Sequence, residues 1–154
     1  MEKRKGKKLK KKRKMKNNQT ISVKKKDIEI KWHLIDAKDA VLGRFATRVA
    51  GILIGKNKEY FSFNQNCGGK VVVINVSRIK VTGGKETKKM YYRVSGYMGG
   101  LKEQNYNTLI SKKPTEALWQ AVYGMLPNNK LRKERIGNLY LYKGEKHPHK
   151  GNLK

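Results

Sequence analysis

The sequence predicts an α/β domain, and three observations carry that reading. Apolar residues Leu42, Phe45, Val49, Ile52 and Leu53 recur at three- and four-residue spacing, the period of a helix with one buried face. Val71-Val72-Val73-Ile74-Asn75-Val76 is a largely β-branched run, the pattern of a strand covered on both faces in a parallel sheet. Strand and helix patterns then alternate along the chain, which argues for layers built on a mainly parallel sheet.

The elements follow in order. Trp32-His33-Leu34-Ile35-Asp36 is a short apolar strand, and Asp39 lies in a turn-like stretch after it. The helix from Leu42 to Ile54 comes next, with Gly55 placed to close it. Arg44 and Arg48 sit one turn apart on its polar side. Polar connections at Lys56-Asn57-Lys58 and Asn64 to Gly69 flank the aromatic stretch Tyr60 to Phe63 and lead into the central strand at Val71. Ser77 to Thr82 alternates polar and apolar residues as an exposed strand would, and Gly83-Gly84 ends it with a turn. Lys85 to Leu101 is rich in glycine, aromatic and basic residues and does not read as core. A helix begins near Pro114, with Glu116 in its first turn and Leu118, Val122, Met125 and Leu126 as its buried stripe; Pro127 stops it. A basic helix from Leu131 to Ile136 ends at Gly137, and Asn138 to Tyr142 alternates as a strand.

The 154 residues have room for one ordinary domain. The net charge of +27 is far beyond what solubility requires and calls for a polyanionic partner, because Lys and Arg that neutralise phosphates release condensed counterions. Residues 1–31 hold 15 of the 38 basic residues and 3 of the 11 acidic ones, a net of +12, so the remainder still carries +15. The basic excess therefore belongs to the body as well as to the N-terminal arm. The block Lys7 to Lys14 cannot bury enough apolar surface to offset its ordering entropy, so residues 1–31 are expected to be disordered when free. Residues 32–154 are expected to form the single domain and a basic C-terminal tail. The lone Cys67 cannot form an intramolecular disulfide, and there is no apolar run long enough to span a membrane and no secretory h-region.

Catalytic and nucleotide motifs fail on inspection. A P-loop ending at Gly84-Lys85 would need a glycine where Ile79 stands and a hydroxyl where Glu86 stands. No dinucleotide fingerprint follows the central strand. His147-Pro148-His149 has only His33 and Cys67 as further soft ligands, at no spacing typical of zinc. Asp36 and Asp39 read as capping or hydrogen-bonding groups rather than an acid/base pair. No enzyme activity, metal, cofactor, small-molecule substrate or membrane is expected.

What remains suits RNA. Lys85, Lys88 and Lys89 stand beside Tyr91, Tyr92 and Arg93, so phosphate-pairing cations lie next to rings able to stack on unpaired bases. The glycines between Gly96 and Gly100 let a phosphate backbone approach the main chain. The candidate RNA-binding residues are Arg44, Arg48, Lys56, Lys58, Lys85, Lys88, Lys89, Tyr91, Tyr92, Arg93, Lys102, Lys130, Arg132, Arg135, His147 and His149.

A co-linear set of motifs carries a resemblance. It comprises Trp32 to Asp36, Leu42-Gly43-Arg44-Phe45-Ala46-Thr47, Val72 to Asn75, Val81-Thr82-Gly83-Gly84-Lys85, Tyr91-Tyr92-Arg93, Ser95 to Lys102, Gly124-Met125-Leu126-Pro127-Asn128-Asn129 and His147-Pro148-His149. Together they resemble the bacterial-type large-subunit ribosomal protein family numbered thirteen, from Trp32 to about Lys150. The resemblance implies a three-layer α/β/α domain with a small parallel sheet that binds large-subunit rRNA beside neighbouring ribosomal proteins, helps the rRNA fold, and has no catalytic residues. The arm is longer and richer in lysine than the family's lead-in. A bacterial cytoplasmic ribosome is the expected location, with the ribosome of a plastid or mitochondrion as the alternative.

Overall fold

The structure is a computed structural model that describes residues 23, 24 and 27–152. Of the arm expected to be disordered, residues 1–31, positions 1–22, 25 and 26 lie outside the described residues, and the expectation is corrected for 27–31, where the Glu29 carbonyl accepts from Lys58 Nζ and the Lys31 carbonyl from the Lys70 N–H. Strand β1 spans Trp32–Asp36, β2 Lys70–Ile74 and β5 Leu139–Leu141; helix α1 spans Leu42–Ile54, α4 Pro114–Met125 and α5 Arg132–Gly137. These three strands form one parallel sheet in the order β1-β2-β5. Between them in sequence lies a region with its own architecture: α2 (Lys85–Lys88), β3 (Met90–Val94), β4 (Leu101–Asn105) and α3 (Tyr106–Lys112), where β3 and β4 pair antiparallel.

The valine run occupies the centre of the sheet because it can be covered on both faces. Val71, Val72 and Val73 have no exposed surface. Val71 and Val73 share a face with Ile35, Leu139 and Leu141, and this face packs on Leu42, Phe45, Val49 and Leu53 of α1 and on Leu118 and Val122 of α4. Val72 points the other way, between Leu34 and Tyr140 in register. That second face is covered by the C-terminal segment, a short 3₁₀ turn at Pro148–Asn152 whose His149 ring lies 5.2 Å from Trp32 and 4.5 Å from Tyr140.

Helix α1 matches its predicted limits. Gly55 ends it in the left-handed conformation, φ 85°, with its N–H donating to the Gly51 and Ile52 carbonyls. The chain then returns over the end of α1 so closely that a Cβ at Gly68 would lie 1.9 Å from the Leu53 carbonyl oxygen. Only glycine fits there, and this approach delivers the chain into β2.

Two expectations are corrected. The central strand stops at Ile74: Asn75 has a positive φ of 57°, and Val76–Arg78 forms a 3₁₀ turn. The alternating segment Ser77 to Thr82 is therefore not a strand; it begins in that turn and keeps only a single bridge, Lys80 to Val41. Its alternation reflects one buried residue, Ile79, between exposed neighbours, with no strand alongside to complete a ladder. Lys85 to Leu101 lies outside the core, as its composition implies, and holds α2, β3 and the turn into β4, with only Lys89, Tyr91 and Gly100 partly covered.

Candidate nucleic-acid interface

Three surfaces carry the candidate residues. The first is the polar side of α1. With Leu42, Phe45, Ala46, Val49, Ala50 and Leu53 buried, the 3.6-residue period leaves Arg44 and Arg48 exposed and one turn apart, and Lys56 is exposed just beyond Gly55. Lys58 is half-buried; its Nζ donates to the Glu29 carbonyl at 2.6 Å and lies 5.6 Å from the Tyr60 ring. It ties the segment before β1 to the body.

The second surface is the hairpin with α2. Lys85 and Lys88 are exposed on α2, while Lys89 is half-buried with its Nζ 5.0 Å from the Tyr91 ring. Burial first, and Lys85 second, pull the Lys89 pKa below its ordinary value. Arg93 and Lys102 are cross-strand partners, so two cations share the face on which Tyr91 and Gln104 also lie. Asn105 holds the far end of the hairpin: its side chain accepts from the Asn107 N–H at 3.2 Å, capping α3, and donates to the Thr87 carbonyl at 2.8 Å. Tyr106, buried at the start of α3, has its phenol pushed up to about 12, by burial first and then by Tyr91 and Glu86. A groove of about 470 Å³ separates this hairpin face from α3 and α4, and Lys112 and Lys113 line its other side. Those two lysines were missed in the sequence; the available signal was a basic pair immediately before the Pro114 helix start.

The third surface lies around the end of α4 and α5, with Lys130, Arg132 and Arg135, while His147 and His149 stand apart in the C-terminal segment on the sheet's second face, and here the structure divides the candidates. Lys130 is exposed. Arg132 is half-buried over the Tyr123 ring at 3.7 Å, with Nε donating to the Tyr123 carbonyl at 3.0 Å and Nη1 to Asn128 at 3.4 Å. It clasps the end of α4. Arg135 must be corrected: only 1 % exposed, it sits on the inner side of α5 and donates to the Gln65 carbonyl at 3.2 Å, out of reach of any phosphate. Desolvation lowers its pKa, against raising contributions from Cys67 and Glu134. His147 is half-buried, and His149 is packed among Trp32, Tyr140 and Tyr142 as part of the sheet's second cover.

Electrostatically, the exposed cations have almost nothing to pair with among the described residues. Among the described residues the only ion pair is Lys80 with Asp39 at 2.6 Å. Asp39 is held below the ordinary carboxylate pKa by its hydrogen bond to Lys80, and Asp36 by the Lys38 backbone N–H and then by Asn75. Both aspartates thus serve a loop, at the positive-φ positions Asp39 and Asn75, rather than acid/base chemistry. No three His, Cys, Asp or Glu side chains converge among the described residues, and no helix there is long and apolar enough to cross a membrane. The arrangement can hold a polyanion.

Comparison with known proteins identifies a matching family. The family model described as ribosomal protein L13 matches residues 30–148. The chain is 45% identical over 130 residues to the large ribosomal subunit protein uL13 of Streptomyces coelicolor, covering 84% of this chain and 88% of that protein. It is 47% identical over 131 residues to the protein of the same name from Borrelia turicatae, with 85% and 88% covered. For that of Natranaerobius thermophilus the identity is 45% over 130 residues, with 84% and 91% covered.

Proposed function

The chain belongs to the ribosomal protein L13 family, and on that premise we propose that its exposed cations clamp large-subunit rRNA from three sides of a rigid α/β body. As a member it is a structural constituent of the large ribosomal subunit, with a role in translation that is architectural and not enzymatic. The observation that carries the interface is the near absence of internal ion pairs: Arg44, Arg48, Lys56, Lys85, Lys88, Arg93, Lys102 and Lys130 reach solvent with no carboxylate partner among the described residues. Such cations gain affinity by releasing counterions from RNA phosphates.

Phosphate contacts outnumber base contacts in this reading, and the shape of the folded rRNA supplies most of the discrimination. Tyr91, Lys112 and Lys113 add a groove in which an unstacked nucleotide fits beside Arg93 and Lys102. Arg132 and His149 position the body for these contacts, and Lys58 anchors the segment leading into β1. Neighbouring large-subunit proteins complete the set of partners. The bacterial origin of the relatives supports a cytoplasmic bacterial-type ribosome as the location.

The test is sucrose-gradient fractionation of native cells at low and high salt. The chain is expected with large subunits and translating ribosomes at low salt, and to leave the subunit as salt rises. Sedimentation with small subunits, or at the top of the gradient at every salt concentration, would overturn the proposal.

A further inference from the structure

The two faces of the β3–β4 hairpin have opposite chemistry. The register pairs Tyr92 with Glu103 and Val94 with Leu101, and alternation puts these four side chains and Met90 on one face. The other face carries Tyr91, Arg93, Lys102 and Gln104 and borders the groove beside α3 and α4, whose lining also includes Tyr92 and Glu103 but not Met90, Val94 or Leu101. Burial follows this division at one end of the hairpin, where Tyr91 and Gln104 are partly covered; Arg93 and Lys102 are exposed, and on the first face Tyr92, Val94 and Leu101 are 64%, 69% and 54% exposed. At the tip, Tyr97 and Met98 are exposed as well.

A chain of net charge +27 thus displays a strip of Met90, Tyr92, Val94 and Leu101 with no cation on it. Its one charge is the carboxylate of Glu103, which has no ion-pair partner among the described residues. Laid against RNA, this strip would strip water from phosphates without neutralising them, and Glu103 would repel them. Aromatic and methionine side chains with few charges are instead the composition of a protein–protein interface core, and a contiguous exposed apolar strip marks such a site. Charge complementarity then defines the occupant.

We propose that the Met90-Tyr92-Val94-Leu101 face of the hairpin docks a neighbouring large-subunit protein, one that presents an apolar strip flanked by a lysine or arginine opposite Glu103. The hairpin is then a two-sided connector, with rRNA held by its Arg93-Lys102 face and protein by the other. The inference rests on residence in the large subunit; it adds the face on which a protein partner sits and moves Tyr92, read from the sequence as an RNA-binding residue, to that face.

The experiment places benzoylphenylalanine at Val94 in the full chain, assembles it into large subunits in vivo, irradiates purified subunits, and identifies the adduct. Sedimentation is scored first, since a chain missing from large subunits would overturn the ribosomal assignment itself. Given incorporation, a crosslink to a peptide of another large-subunit protein is the expected result; a crosslink to rRNA, to a second copy of this chain, or to nothing would overturn the docking face. Glu103→Lys supplies an independent sign. The proposal expects the variant to bind naked large-subunit rRNA at least as tightly as the parent, yet to be released from intact subunits at lower salt. Unchanged or tighter retention in the subunit would contradict it.

Discussion

The parallel sheet and the β3–β4 hairpin are both built from short strands with β-branched and aromatic residues, yet they differ in what surrounds them. In β2 the side chains of Val71, Val72 and Val73 are covered completely, by α1 and α4 on one side and by the C-terminal segment on the other. In the hairpin, only Tyr91, Gln104 and Asn105 are partly covered, and the remaining strand residues face solvent. The first region therefore carries stability, and in the proposed reading the second joins α1 in recognition, since an isolated two-stranded ribbon is marginal alone and gains order from what it binds.

The largest expected effect separates the two regions by one substitution in each. Val73→Ala removes two methyl groups from a fully buried site and should lower the free energy of unfolding by about 2 kcal/mol, whereas Val94→Ala on the exposed hairpin should change it by less than ~0.5 kcal/mol. Urea titration of both variants checks this, and equal losses would erase the distinction. Next in size, Arg44→Glu with Arg48→Glu should weaken binding to large-subunit rRNA at least roughly tenfold while leaving the urea midpoint nearly unchanged, because exposed charges add little to folding. A large loss of stability with binding intact would make those arginines structural. A smaller effect is expected for Arg93→Ala with Lys102→Ala. Each lost phosphate contact should make the slope of log affinity against log salt shallower by ~0.7–0.9, and an unchanged slope would remove the hairpin from the phosphate interface.

The smallest effect is a pH dependence. Asp36 and Asp39 are held below their ordinary pKa in the folded chain, so the stability they add is present above about 3.8 and is lost as pH falls through the lowered values. Thermal stability should begin to fall as pH drops through about 6.5, because burial and then Lys58 and Lys31 hold His33 below its ordinary pKa, and should decline further below about 4, with Asp39→Asn slightly reducing only that lower step. A variant identical to the parent across the acid range would show that the Lys80 pair contributes nothing.

Legibility in the sequence follows the same divide. The valine run, the helix from Leu42 to Ile54 and the Pro114 start of α4 were readable because burial imposes a period on sequence. The hairpin was not, because Leu101-Lys102-Glu103-Gln104-Asn105 is mostly polar and exposed, and nothing buried marks its alternation. The same reasoning explains the site residues. Arg44 and Arg48 could be placed by helical phase against a strong apolar stripe. Arg135 could not, since α5 is only six residues long and its inner side holds an arginine where an apolar residue would have announced the phase. His149 read as a tail residue because its aromatic neighbours Trp32 and Tyr140 are distant in sequence and adjacent only across the sheet.

Hydrogen–deuterium exchange of the free chain and of the assembled large subunit tests most directly whether the sheet carries stability while the hairpin carries recognition. The amides of Val71, Val72 and Val73 should exchange slowly in both states, and those of Tyr91 to Val94 and Lys102 to Gln104 should exchange quickly in the free chain and slowly in the subunit. A hairpin as protected as β2 in the free chain, or one left unprotected in the subunit, would contradict that division.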